Sequence, residues 1–310
     1  MTRQPNIRLL GAADLERMVD IDKAVTGRGR RGFYEKRFAT SAGAPQDFIG
    51  LAAEQDGTVL GFVLAHLLTG EFGMTAPVGV LDAIGVDPAA RSSGIGQRLL
   101  GGLEQALANR GVAAVRTEAN WTEHSLVSFF AATGFHLAPR LLLDRSAGTP
   151  IEEEGEDGLL ARDRVAIRSM TEDDLAALVR IDRHITGQDR SAYYARKANE
   201  MLKHSGVRVS LVAEVGGTPV GFVMARVDFG EFGRTEPVAV MDTIGVDPAN
   251  RSRHVGQALL SQLLTNLRSL HVERIITDVA WNDFALLRFL ERNGFTMAQR
   301  LSFVKPLDRA

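Results

Sequence analysis

A chain of 310 residues exceeds one ordinary hydrophobic core and suits two domains of about 150 residues each. Its 36 basic and 38 acidic side chains leave a formal net charge of −2, so no global attraction to nucleic acid or to an anionic membrane is expected and any basic site must be local. The absence of cysteine excludes disulfides, thiolate metal ligands and a cysteine nucleophile, so any acyl transfer would have to be direct.

The opening MTRQPNIRLLGAADLERM lacks an apolar run of the signal-peptide type, and nowhere do about 18 apolar residues follow one another, which points to a cytoplasmic protein. From Leu15, LERMVDIDKAV has helical spacing. IGLAAEQDGTVLGFVLAHLL, from Ile49, reads as two strands joined by an Asp56-Gly57 hairpin turn. After a loop containing GEFG comes the strand VGVLDAIGV, in which the two-residue period places Val80, Asp82, Ile84 and Val86 on one face. IGQRLLGGLEQALANRG then aligns Ile95, Leu99, Leu103 and Leu107 on one stripe and stops at Gly111, as an amphipathic helix does. A strand AAVRTEA, a helix SLVSFFAAT closed by Gly134, and short strands to Leu143 follow. The expected order is helix, helix, β-hairpin, strand, helix, strand, helix, strand: an α/β unit with a mixed sheet flanked by helices.

The same order then recurs. Ile7 and Ile167, Thr26 and Thr186, Gly61 and Gly221, Gly85 and Gly245, Trp121 and Trp281, and Gly134 and Gly294 begin matching words, each pair 160 residues apart. A constant offset at this length means duplicated domains, because solenoid units repeat at about 20 to 50 residues. The boundaries read from sequence are 1–145 for the first domain, 146–164 for an acidic tether rich in Gly and Glu, and 165–310 for the second.

Between strand and helix, the first copy carries DPAARSSGIG. A P-loop is excluded, since Gln97-Arg98 stand where Lys-Ser/Thr would be needed. A dinucleotide fingerprint has Gly94, Gly96 and an acid at Glu118, but Leu99 replaces its third glycine and the turn from Val86 to Gly94 is too long. Glycines at a helix start let backbone N–H groups approach a diphosphate closely, and the positive end of the helix favours the anion.

Val-x-Pro-x-x-Arg-x-x-Gly-x-Gly with a downstream Gly-Phe, together with the element order, resembles the GNAT superfamily of GCN5-related N-acetyltransferases over nearly the whole chain. The resemblance implies two tandem GNAT-like domains, each with a mixed, mostly antiparallel sheet. It implies an acetyl-CoA-dependent transferase acting on an amine acceptor, with a non-catalytic acyl-CoA sensor as the alternative and a homodimer left open. Its CoA contacts would be Ile84, Gly85, Val86, Arg91, Ser92, Ser93, Gly94, Ile95 and Gly96, with Val246, Arg251 and Gly256 in the second copy. There His254 replaces Gly94, so that site reads as degenerate, although backbone N–H groups persist.

By the same resemblance Asp82 and Asp242 match the carboxylate that takes a proton from the substrate ammonium. The need is real, because an amine with a pKa near ~10 is almost wholly protonated at pH 7. Phe130 and Leu290 occupy the place where many members carry a tyrosine that protonates the leaving thiolate, and Tyr34 and Tyr194 are the candidate substitutes. Arg30, Glu71 and Trp121, with Arg190, Glu231 and Trp281, fall where the superfamily binds its acceptor. The same residues also fit plain packing or loop roles. The histidines show no metal-ligand spacing, and no metal is expected.

Overall fold

The computed structural model describes residues 4–43, 45–69, 77–91, 93–151, 165–199, 209–229 and 237–307. The first half runs β1 (Asn6–Leu9), α1 (Leu15–Thr26), α2 (Arg31–Gly43), β2 (Phe48–Gln55), β3 (Thr58–Thr69), β4 (Pro77–Val86), α3 (Ile95–Ala108), β5 (Ala114–Asn120), α4 (His124–Ala132), β6 (His136–Leu137) and β7 (Arg140–Ser146). The second repeats it with β8 (Ala166–Ser169), α5 (Leu175–Thr186), α6 (Ser191–Asn199), β9 (Leu211–Val215), β10 (Thr218–Phe229), β11 (Pro237–Val246), α7 (Val255–Ser269), β12 (Arg274–Ala280), α8 (Phe284–Arg292), β13 (Thr296–Met297) and β14 (Arg300–Pro306). The expected order holds, with an additional first strand in each copy. That strand is only four residues long, too short for its period to show.

Each hairpin turn has the positive φ pair that two-residue turns favour, at Asp56 and Gly57 and at Gly216 and Gly217. In the first copy the α3 stripe of Ile95, Leu99, Leu103 and Leu107 packs on Leu51, Val63, Leu81 and Val115. Each fully buried leucine there contributes about 1.5–3 kcal/mol relative to exposure. On the opposite sheet face Met18, Ile21 and Tyr34 pack on Ala52, Phe62, Leu64 and Ala83. The second copy builds the same two layers from α7 and from α5 with α6.

Each seven-stranded sheet is completed by a strand from the other copy. The orders are β1-β2-β3-β4-β5-β14-β6 and β13-β7-β12-β11-β10-β9-β8. β14 lies antiparallel to β5 from Arg300 opposite Asn120 to Pro306 opposite Ala114, and β7 lies antiparallel to β12 from Arg140 opposite Ala280 to Ser146 opposite Arg274. Ion pairs fasten both additions: Arg300 to Glu118 at 3.1 Å and Arg140 to Asp278 at 2.8 Å. The compact units consequently differ from the sequence boundaries. Unit 1 joins Met1–Ala138 to Gln299–Ala310, and unit 2 is built from Pro139–Asp228 and Glu236–Ala298. Ser146, assigned to the tether, is the last residue of β7, and residues 152–164 lie outside the described residues.

Both units also repeat an acid-labile clamp at the entry to the first helix. Arg8 holds Asp14 with two hydrogen bonds of 2.7 and 2.8 Å while Asp14 accepts the Gly11 N–H at 2.8 Å, and Arg168 with Thr171 does the same for Asp174. The arginine hydrogen bonds, followed by the backbone bond, hold both carboxyls below their ordinary range. A depressed folded value means that the contribution is present above the unfolded value and is lost as pH falls through the folded one. Asp14→Asn should therefore destabilise unit 1 by about 1 kcal/mol at neutral pH, the size of a partly exposed pair with a cap. In acid melting curves its deficit relative to wild type should shrink below about pH 4. A deficit constant down to the acid transition would count against the clamp.

Candidate active site

The site starts where two parallel strands stop pairing. β4 and β5 are in register only at Val78 with Ala114, Gly79 with Val115 and Val80 with Arg116, although β4 continues to Val86 and β5 to Asn120. At the fork Thr117 donates its hydroxyl to the Leu81 carbonyl at 3.1 Å. Beyond it the β4 edge that faced β5 has no ladder partner among the described residues, while the other edge stays paired with β3 to Val86. Unit 2 forks in the same place: β11 and β12 pair at Ala239 with Ile275 and Val240 with Ile276, and Thr277 bonds the Met241 carbonyl at 2.9 Å.

The edge leads into the glycine loop. Asp87 accepts the Ala89 N–H at 2.8 Å and also pairs with Arg17, so a short 3-10 turn at Pro88–Ala90 begins directly after the strand. Arg91 is exposed, and the Ser93 hydroxyl donates to the Ala90 carbonyl at 2.6 Å. Gly94 starts α3 with φ of +76°, and a Cβ there would meet nothing within 4 Å, so the conformation and not crowding calls for glycine. Gly96 has another reason: a Cβ would come within 3.2 Å of the Phe129 ring, so this glycine lets α3 pack on α4. Gly85 is likewise a packing position, its missing Cβ facing Phe62 at 2.9 Å. Helix geometry leaves the first N–H groups of α3 without intrahelical acceptors. In unit 2, His254 adopts the same left-handed conformation with φ of +57° and projects an exposed imidazole from the start of α7. Ile84, Val86 and Val246 pack toward the α3 and α7 cores, and Ile95 is buried. Gly256 packs on Phe289 as Gly96 does on Phe129. Ser92 and the Arg251 side chain lie outside the described residues.

Asp82 sits on a bulge, and this corrects the face expected from a plain two-residue period. Leu64 pairs with Ala83 and Ala65 with Leu81, so Asp82 is the extra residue opposite no partner. The phase flips there: Ile84 and Val86 join Leu81 on the α3 side, whereas Asp82 faces α2. Its side chain has 0% exposure. Oδ2 lies 2.7 Å from His66 Nδ1 on β3, and Oδ1 accepts from Arg37 Nη2 on α2 at 3.2 Å. Asp242 occupies the same place in unit 2 between Lys197 Nζ and Arg226 Nε, both at 3.3 Å. His66 and Arg37 escaped the sequence reading. The available signal was the position 160 residues apart where His66 and Arg226 interrupt otherwise apolar strands.

Tyr34 and Tyr194 are wholly buried, edge-on to Phe62 and Phe222, and burial raises both phenols far above their ordinary range. Their hydroxyls are engaged inside the unit, Tyr34 by Arg30 at 3.2 Å and Tyr194 by Asp182 at 2.9 Å. Arg30 and Arg190 are each held in bidentate fashion by Asp22 and Asp182 and touch the tyrosine hydroxyls at 3.2 and 3.3 Å. Each guanidinium is thus held through Nε and Nη2 by an acid of its own unit. Trp121 and Trp281 are exposed, and their backbone N–H groups bond the carbonyls of Gln299 and Pro139, at the entry of each added strand. Phe130 and Leu290 are buried in the cores. Glu71 and Glu231 lie outside the described residues.

The sequence profile of the acetyltransferase (GNAT) family matches residues 15–135 and 174–295. The chain belongs to that family, once in each half. A mycothiol acetyltransferase of Thermobispora bispora is 34% identical over 85 residues, covering 27% of this chain and 29% of that protein. Among solved structures, the GCN5-related glucosamine N-acetyltransferase region of a fungal multi-domain β-N-acetylglucosaminidase superposes with a TM-score of 0.70 at 12% identity, over 98% of this chain and 38% of that one. A tandem GNAT protein from the clavulanic acid biosynthesis pathway gives 0.65 at 15% identity, over 98% and 99%. At these identities the structural likenesses are likenesses of fold. The chain spans about a third of the length of the first two relatives.

Proposed function

We propose that the protein is an acetyl-CoA-dependent N-acetyltransferase that passes the acetyl group directly to an amine, with unit 1 holding acetyl-CoA as its co-substrate. The observation that carries the reading is the open β4 edge leading into the Gly94-capped start of α3. An unpaired edge offers backbone N–H and C=O groups to an amide-bearing arm, as in strand addition. The N–H groups from Ser93 to Gln97 and the helix dipole suit a pyrophosphate, and Arg91 stands exposed beside them. The open space at Gly94 admits close approach. A cytoplasmic small-molecule or protein amine fits the near-neutral charge better than a nucleic acid acceptor.

Because the chain has no cysteine, a thiol-reactive dye reports only released CoA, and turnover of acetyl-CoA with a panel of amines tests the activity without background. Amine-independent release would overturn it. Calorimetry with CoA should find one strong site per chain, since His254 places a side chain where unit 1 has open space. Gly94→His should weaken that site about tenfold to a hundredfold, ~1–3 kcal/mol, while His254→Gly relieves strain and strengthens the second. Two equal wild-type sites would refute the asymmetry.

A further inference from the structure

Asp82 is too enclosed to take a proton from an acceptor. Its side chain is fully buried, and each carboxylate oxygen is already engaged, Oδ1 by Arg37 and Oδ2 by His66. The imidazole next to it is also buried, at 8% exposure, but commits only one of its two nitrogens to Asp82. Opposite the Arg37 guanidinium, Asp82 acts as a carboxylate, which accepts hydrogen bonds and cannot donate. The hydrogen in the 2.7 Å contact therefore belongs to His66 Nδ1. In a neutral imidazole that leaves the Nε2 lone pair bare, and Nε2 has no hydrogen-bond partner among the described residues.

Cross-strand register places Phe48 beside His66, and beyond His66 come Val80 and then Arg116. The Phe48 ring lies 6.0 Å from the imidazole, so β2 supplies no charge there. Among the described residues the charged groups around His66 are Asp82 from β4 and Arg37 from α2, with Arg116 of β5 one position further along the row. The row lies at the last paired positions of β4 and β5, where the fork opens.

We infer that His66 Nε2 is the proton acceptor for the substrate ammonium, that Asp82 positions it, and that unit 2 lacks this function. The inference rests on the transferase reading and adds a residue to it. One ammonium proton passes to Nε2, and Asp82 balances the imidazolium charge. The amine lone pair then forms the C–N bond to the thioester carbonyl, and the C–S bond breaks with its electron pair on sulfur. The second nitrogen-bound proton goes to that thiolate, and Nε2 returns the first to water. In unit 2 the position of His66 is Arg226, whose guanidinium stays charged and has no lone pair to offer, and Lys197 replaces Arg37. Asp242 is thus held between two cations, with no proton acceptor beside it among the described residues.

Two readouts on the full chain test this. In a 15N-histidine-labelled sample, long-range proton–nitrogen correlation at about pH 8 should show His66 protonated on Nδ1 with Nε2 bare, and a proton on Nε2 would overturn the inference. In the thiol-release assay with the best amine of the panel, His66→Asn keeps a donor toward Asp82 but has no base. Its kcat should fall by about 10² or more, with KM for acetyl-CoA within about twofold, and the loss should shrink as pH rises and free amine accumulates. His66→Arg, which installs the residue of unit 2, should lose as much. A wild-type chain with no amine-dependent release overturns the transferase reading itself. An active wild type with an equally active His66→Asn overturns only the role of His66.

Discussion

A chain ending after Ala298 is expected to lose the structure of unit 1 and to keep that of unit 2. The truncation removes β14, whose seven register pairs with β5 lie on the far side of β5 from the fork, and with it the ion pairs from Arg300 to Glu118 and from Lys305 to Glu104. It also removes Phe303, buried against Phe130 in the α3 core. Deleting one such phenylalanine costs about 3–5 kcal/mol, and whole domains are stable by only about 5–15, so the strand as a whole exceeds what unit 1 can lose. Unit 2 keeps β7 and all its contacts. Hydrogen exchange should show lost protection in β3 to β5 and retained protection in β10 to β12, and a peptide of residues 299–310 added in trans should restore the first group. Protection retained in β5 with loss in β12 would mean that β7 had moved to the sheet of its own copy, and would refute the assignment.

That alternative explains why the strand exchange is hard to read from sequence. Residues 160 apart are equivalent, so β7 beside β5 would make the same type of pair, Arg140 with Glu118, that Arg300 makes now. Hydrophobic patterning is indifferent to the choice. The deciding signal is local and small. β6 and β7 are separated only by Ala138 and Pro139, and β13 and β14 only by Ala298 and Gln299. Two-residue hairpins favour Gly, Asn or Asp with positive φ, and none of these residues is of that kind or has such a φ. The chain therefore runs on instead of reversing, and the strand finds its place in the other sheet.

The site was legible in its backbone parts and less so in its side chains. Gly94 opens α3 with a positive φ, and the left-handed region carries a residue-type preference that a sequence displays. Asp82 is visible in the sequence as an acid in an apolar strand, but its contacts with Arg37 and His66 are not, since a bulge shifts the phase of a strand without leaving a periodic mark. Arg30 looked like a free loop cation. Its partner Asp22 lies eight residues back on α1, a distance at which no helical or strand period links the two, and only the turn after the Gly27 cap brings them together.

Asp82→Asn should cripple unit 1 more than its small change in shape suggests. Arg37 donates to Oδ1, so the amide oxygen of the variant must take that side, and the amide NH2 must then face His66 Nδ1. A donor there demands a lone pair on Nδ1, which moves the imidazole hydrogen to Nε2 and removes the proton acceptor. The fold is largely kept, because the side chain is isosteric and both hydrogen bonds survive. Turnover should fall by roughly 10² to 10⁴, the range for losing a general base, and His66 should show the Nε2-protonated tautomer in the 15N spectrum. Part of the rate should return at higher pH, because acceptor already deprotonated in solution grows tenfold per pH unit below the amine pKa. Asp242→Asn, placed between Lys197 and Arg226 with no imidazole to invert, should leave thiol release nearly unchanged. If Asp82→Asn kept the Nδ1-protonated form, or if the two variants lost equal activity, the carboxylates would hold only the strands on which they sit, and the difference between the copies would have to lie in the phosphate loop alone.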